Sequence, residues 1–243
     1  MAYKESAPYY DLFTDENDVD YYKALALQHK SALEIGVGTA RVALELAKAG
    51  VQVWGIDNSP SMLREAQKKL QKQPKAVRGR IRLLKADMTN FSLHKRFAFV
   101  YIPSSTIQHC ATQDDQIACL TAISKHLTKR GLLAFNLIMP SQTYSNNLRA
   151  IGKAAHKNTT VMRFISYRPN WQEQQLEVLL LFEVYTDGVM TRRVYDASTI
   201  ALIGKREMFL LLERTGFRVE NVYGDYGRSM KTESQVVIEA RKT

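Results

Sequence analysis

Between residues 31 and 140 the chain alternates short apolar runs with stretches of helical periodicity, and this alternation constrains the fold more than any other feature. The runs are Ala32 to Ile35, Val51 to Ile56, Ile81 to Leu84, Phe97 to Ile102 and Leu132 to Ile138, bounded by Gly, Asp, Pro or Ser. Continuous apolar runs of this length suit strands buried on both faces, as in a parallel sheet. Helical patterns fill the gaps. Thr39 to Ala49 carries Val42, Leu44, Leu46 and Ala47 and stops at Gly50; Ser59-Pro60 opens Ser61 to Gln73; Asp114 to Lys129 is stopped by Gly131. The pattern predicts a parallel sheet with helices on both faces and ligands bound at the carboxyl ends of its strands.

After Pro140 the helices drop out. Val161 to Tyr167, Leu176 to Tyr185 and Val189 to Tyr195 are strand-like, and Asp187-Gly188 is a hairpin turn. Ser141 to Thr160, with little periodicity, reads as a helix over the site or a mobile loop. Helical spacing returns over Lys205 to Arg214 with Gly216 just beyond, and Phe217 to Val222 and Gln235 to Ala240 supply two further strands. The expected fold is therefore α/β and Rossmann-like: a mostly parallel seven-stranded sheet, helices on both faces, and an antiparallel β insertion after the fifth strand. One domain spans 1–243, with an N-terminal helical lid (1–30), a core (31–140 and 204–243) and an antiparallel cap (141–203). The cap is expected to floor or cover the acceptor site, with a dimer contact as the alternative; the chain is read as a monomer or homodimer.

No run approaches the roughly 18 to 20 apolar residues of a membrane helix, and the charged start lacks an apolar h-region, so a cytoplasmic location is the expectation. Cys110 and Cys119 are too widely spaced for a CxxC pair and read as reduced thiols. Lys and Arg outnumber Asp and Glu by 34 to 24. The excess gathers in Arg64, Lys68, Lys69, Lys72, Lys75, Arg78, Arg80, Arg82 and Lys85, opposed only by Glu65. Such a stretch is either a solvated helix face or a surface for an anionic partner.

The chemistry concentrates in Leu33-Glu34-Ile35-Gly36-Val37-Gly38-Thr39-Ala40-Arg41, where the first strand turns into the first helix. Glycines there let the backbone turn sharply and approach a ligand, and the helix start offers free N–H groups. Asp57 ends the second strand about 20 residues further on, where an acid accepts hydrogen bonds from ribose hydroxyls. A dinucleotide site would want a small residue where Arg41 stands.

These residues resemble the class I S-adenosylmethionine-dependent methyltransferases, whose first motif is an acidic residue followed by x-G-x-G-x-G; Glu34, Gly36 and Gly38 match, and Ala40 stands at the third glycine. Gly55-Ile56-Asp57-Asn58-Ser59-Pro60-Ser61-Met62-Leu63 resembles the second motif. Ala86-Asp87-Met88 is similar to the adenine-binding segment, with Asp87 for the amino group and the Met88 N–H for the ring. Pro103 to His109 resembles the segment that small-molecule members place beside the sulfonium, and Tyr9 to Phe13 with Tyr21-Tyr22 resembles an N-terminal lid. The resemblance implies cofactor contacts from Tyr10, Tyr22, Glu34, Gly36, Gly38, Thr39, Arg41, Asp57, Asn58, Met62, Asp87, Met88, Ile102, Pro103 and Ser104. Glu34 either meets the methionine amino group or orders the glycine loop.

The same resemblance implies methyl transfer to an N or O atom of a small molecule, with S-adenosylmethionine as cofactor and no metal. His109 would be the base and Tyr10 would shape the reacting site; Tyr10 and the other tyrosines of the segment equally suit packing of an amphipathic helix. An RNA methyltransferase using the basic stretch, or a non-catalytic cofactor-binding partner subunit, are the alternatives.

Overall fold

The computed structural model describes residues 3–14, 17–230 and 234–243. Met1, Ala2, Asp15 and Glu16 of the expected lid, and Lys231 to Glu233 of the expected core, lie outside the described residues. The apolar runs form strands: β1 (Ser31–Ile35), β2 (Gln52–Asp57), β3 (Ile81–Lys85), β4 (Phe97–Ile102) and β5 (Leu127–Ile138). They pair in parallel, and the antiparallel β10 (Phe217–Tyr223) and β11 (Gln235–Lys242) complete a seven-stranded sheet in the order β10-β11-β5-β4-β1-β2-β3. The strand order reverses at β1 and β4, so the loops leaving these two strands open a crevice at the carboxyl edge, where open α/β sheets bind ligands.

Helices α1 (Asn17–Leu27), α2 (Arg41–Lys48), α3 (Pro60–Gln71), the short α4 (Lys75–Arg78), α5 (Gln113–His126) and α6 (Lys205–Arg214) link and cover the strands. Their starts follow from local chemistry. Ser59 Oγ accepts from the Met62 N–H at 3.4 Å with Pro60 in the first turn, and Thr112 Oγ1 accepts from the Asp115 N–H at 3.2 Å. Two apolar clusters form the core: one joins Leu33, Ile56, Phe135 and α5, and the other joins Tyr22, Val42, Phe99 and Tyr101. Among the described residues no helix is long and apolar enough to cross a membrane.

Between β5 and α6 the chain builds a second sheet, antiparallel, of β6 (Arg149–His156), β7 (Thr159–Asn170), β8 (Gln175–Thr186) and β9 (Val189–Ala201). The Asp187-Gly188 turn joins β8 to β9 with φ of 50° and 80°, the positive values that a two-residue type I′ hairpin requires. Two expectations are corrected. Ser141 to Thr160 is neither a helix nor a structureless loop, because Arg149–His156 is an edge strand. It gives no apolar period because it is mostly exposed and has no buried face; Phe13 lies against it at Gly152, where a Cβ would fall 2.5 Å from Phe13 Cδ1. The helix expected over Asp114 to Lys129 ends at His126, since Leu127 already pairs with Phe97 as the start of β5.

A 3-10 segment, Ala7–Phe13, lies against this second sheet. Tyr9 and Phe13 meet Phe182 at ring separations of 5.9 and 6.0 Å, and the Asp196 carboxylate accepts the Lys4 and Ser6 N–H groups at 3.0 Å each.

Candidate active site

The glycine loop is shaped by what packs on it. Gly36 has φ of 69°, and a Cβ there would sit 2.2 Å from Thr106 Cγ2, in the turn that follows β4. Gly38 has φ of 53°, and its N–H donates to Asp57 Oδ2 at 2.8 Å. Asp57 Oδ1 accepts from the Ser59 N–H at 2.8 Å, so one carboxylate ties the glycine loop to the start of α3. Ala40, at the place of the third glycine, also adopts left-handed φ of 61° and is fully buried. The glycine pattern thus reports a backbone conformation, which alanine tolerates at a cost of roughly 1 kcal/mol or more.

Glu34 is 1% exposed, yet its carboxyl borders the crevice. Register explains its partner: Glu34 faces Tyr101 on β4, and the Tyr101 hydroxyl donates to Glu34 Oε2 at 2.7 Å. Burial raises this carboxyl to about 8, against the opposing effects of the Tyr101 bond and of Arg41. Arg41 makes two bonds to the Asp18 carboxylate, at 2.6 and 2.7 Å, from the first turn of α2 to α1. Thr39 Oγ1 donates to Asp11 Oδ1 at 2.6 Å, and Lys69 pairs with the same carboxylate. Acidic side chains of the N-terminal segment therefore hold it over the glycine loop.

Beyond β4 the chain makes a tight turn through Ser104 and Ser105, with φ of 57° and 55°. Consecutive left-handed non-glycine residues are strained, and here buried Asn136 compensates. Its Oδ1 accepts from the Ser105 N–H at 2.8 Å and its Nδ2 donates to Ser105 Oγ at 2.7 Å. The 3-10 turn Thr106–His109 follows and carries His109 to the crevice. The Tyr3 ring stands edge-on to both Tyr10, at 5.2 Å, and His109, at 6.0 Å. Burial lowers the His109 pKa, so the ring is neutral at pH 7.

These parts enclose a cavity of about 470 Å³. Of the anticipated residues, it brings together Tyr10, Glu34, Gly36, Gly38, Thr39, Arg41, Asp57, Asn58, Met62, Met88, Pro103, Ser104 and His109. Three others are placed differently. Tyr22 is fully buried, its ring packed on Tyr101 at 5.2 Å and its hydroxyl donating to the Ile102 carbonyl at 3.3 Å; Ile102 is likewise a core residue. Asp87 is exposed at the rim, its Oδ1 taken by the Thr89 N–H and hydroxyl at 2.8 and 2.6 Å, which together hold its pKa low. Thr106, within the expected Pro103–His109 segment, also lines the cavity; sequence reasoning missed Tyr3 and the group Glu177, Ala197, Ser198 and Thr199, which the second sheet sends there. No local motif marks them.

The basic stretch lies along α3, α4 and β3, mostly exposed, with Lys68 paired to Glu65 at 2.8 Å and Lys69 engaged with Asp11. Among the described residues no group of three or more His, Cys, Asp or Glu is arranged to hold a metal ion.

A model of the methyltransferase domain matches residues 32–131, the segment from β1 through α5 that carries the glycine loop, Asp57 and His109. Residues 32–131 therefore carry a methyltransferase domain. This methyltransferase is 28% identical over 230 residues to dTDP-3-amino-3,6-dideoxy-alpha-D-glucopyranose N,N-dimethyltransferase of Streptomyces fradiae, a match covering 90% of this chain and 86% of the relative. Its fold is that of the CcbJ methyltransferase from Streptomyces caelestis, with a TM-score of 0.83 at 20% identity over 99% of this chain and 97% of the other. It also matches CalS10 of Micromonospora echinaspora, an amino pentose methyltransferase solved with S-adenosylmethionine bound, with a TM-score of 0.75 at 19% identity over 98% and 96% of the two chains.

Proposed function

We propose that this methyltransferase transfers a methyl group to the amino nitrogen of a small molecule, an amino sugar carried on a nucleoside diphosphate. The observation that carries the reading is a single cavity with two unlike walls. One is the glycine loop with Asp57, Asn58, Met62 and Met88; the other is His109, Tyr3 and the Glu177, Ser198 and Thr199 side chains of the second sheet. The first wall fits the cofactor. Asp57 offers a carboxylate for ribose hydroxyls, Met62 and Met88 offer apolar flanks for a purine, and Gly36 leaves no Cβ in the loop. Buried Glu34 offers a carboxyl that an arriving ammonium group would draw into its anionic form, and Arg41 offers a cationic partner for a carboxylate. The amino-sugar acceptor is supported by the Streptomyces fradiae relative and CalS10, both named for aminated sugars.

When bound, S-adenosylmethionine supplies an activated methyl group whose sulfur leaves as a neutral thioether. The chain's own residues align and dry the site, which accounts for much of the rate in a displacement of this kind. Tyr3 and Tyr10 cover the reacting end. The neutral His109 ring takes the proton that the acceptor nitrogen sheds as its lone pair forms the new N–C bond. The second sheet holds the acceptor, and the two buried free thiols, Cys110 and Cys119, suit a reducing cytoplasmic setting.

The test is transfer of label from methyl-labelled S-adenosylmethionine to dTDP-3-amino-3,6-dideoxy-α-D-glucopyranose, with His109→Ala alongside. We expect a methylated product from the parent, and from the variant turnover lowered roughly 100- to 10,000-fold with cofactor affinity kept. No product from the parent would reject this acceptor, and unchanged turnover in the variant at every pH would reject His109 as base.

A further inference from the structure

Gln108 precedes His109 in the turn and is 1% exposed. Its amide is fully engaged. Nε2 donates to the Ile138 carbonyl at 3.1 Å and to the Ala201 carbonyl at 2.8 Å, while Oε1 accepts from the Ile138 N–H at 2.8 Å. Ile138 is the last residue of β5 and Ala201 the last residue of β9. One side chain therefore joins the histidine-bearing turn, the core sheet and the second sheet. Toward Ile138 it acts as a peptide group would, meeting both the N–H and the C=O of one residue as a neighbouring strand does. Ala197, Ser198 and Thr199, just upstream of Ala201 on β9, line the cavity.

We infer that Gln108 is a positioning residue: it fixes the His109 turn to the end of β9, so that an acceptor held by the second sheet meets the imidazole at a set distance. The chemistry requires an amide at this place. Two carbonyls and one N–H converge there, and no apolar side chain satisfies them. Asn136, which holds Ser105 from the same strand β5, anchors the start of the turn and leaves Gln108 to anchor its end. The inference rests on the reading of His109 as base.

The test compares Gln108→Leu, His109→Ala and the double variant. The probe acceptor is dTDP-3-amino-3,6-dideoxy-α-D-glucopyranose; S-adenosylmethionine affinity is measured by calorimetry and amide hydrogen exchange by mass spectrometry. Displacement of a catalytic group by about 1 Å costs on the order of 100-fold in rate. We expect Gln108→Leu to lose kcat by about that factor with cofactor affinity within about twofold, and to add nothing once His109 is alanine. Unchanged kcat in Gln108→Leu beside an impaired His109→Ala overturns the inference, as does a loss that multiplies in full with that of His109→Ala. A cofactor affinity that falls in step with kcat also overturns it, because the effect is then general loosening.

If His109→Ala keeps full turnover, or the probe is not methylated by the parent, the earlier reading fails and hydrogen exchange decides. Faster exchange in Gln108→Leu over residues 106–110, with the glycine loop unchanged, supports the clamp; unchanged exchange refutes it. Should Gln108→Leu not fold, Gln108→Glu serves. It keeps the acceptor for the Ile138 N–H and regains one donor on protonation, so its rate relative to the parent rises as pH falls; a flat ratio overturns the inference.

Discussion

Replacing Gly36 by alanine would set a methyl carbon 2.2 Å from Thr106 Cγ2, at a residue whose φ is 69°. Two costs arise. Left-handed backbone at a residue with a Cβ costs roughly 1–2 kcal/mol, and an overpacked contact costs roughly 1–3 kcal/mol. The stiffer unfolded chain returns about 0.4–1 kcal/mol, so Gly36→Ala should lower stability by roughly 1–4.5 kcal/mol. Thr106→Ser separates the two costs, because it deletes Cγ2 and leaves Cβ and Oγ1 at 3.1 and 3.2 Å from the new methyl. Urea unfolding of both single variants and the double should show a favourable coupling of roughly 1–3 kcal/mol, with the backbone cost remaining. Calorimetric cofactor affinity should fall in Gly36→Ala and recover partly in the double variant. An unfolding free energy within about 0.5 kcal/mol of the parent would refute the reasoning, and a zero coupling would show that Thr106 is not what excludes the side chain.

Other perturbations test other parts of the site. The Glu34 carboxyl is raised in the fold to about 8 from an ordinary 4.5, so the folded chain holds a proton that the unfolded chain has lost. Its contribution is full below about 4.5 and is lost as pH rises to about 8; Glu34→Gln should flatten that part of the unfolding profile of the ligand-free protein, and an unchanged profile would dismiss the assignment. Asp18→Ala leaves the Arg41 guanidinium buried without its carboxylate and should cost roughly 3–5 kcal/mol in denaturant unfolding, since the two side chains are only 6% and 14% exposed. Asp57→Asn should weaken S-adenosylmethionine binding by roughly 1.5–3 kcal/mol in calorimetry while the hydrogen bond from Gly38 persists; affinity equal to the parent would move the ribose elsewhere.

Local sequence decided a good deal of this protein, for physical reasons. Apolar runs such as Phe97 to Ile102 have to be buried on both faces, helices start at Ser59-Pro60 and Thr112 because side-chain oxygens cap them, and Asp187-Gly188 has to turn because its neighbours are strands. The glycine loop with Asp57 was legible because a sharp turn between a buried strand and a helix leaves few residue choices. Tertiary structure decided what depends on contacts distant in sequence. Tyr22 looked like part of a lid, yet its ring packs on Tyr101 because α1 lies on the core. Arg149–His156 showed no strand period because it is a mostly exposed edge strand, and Tyr3, Glu177 and Thr199 reach the cavity only once the second sheet folds beside the crevice. Gln108 shows the same division in a single residue: the sequence places it next to His109, but that it joins Ile138 to Ala201 follows from two strand ends meeting, which no local pattern encodes. The sequence determined the sheet and the glycine loop, because these rest on backbone geometry and local burial. The cavity wall of Glu177, Ser198 and Thr199 was set only by the packing of the two sheets beside each other.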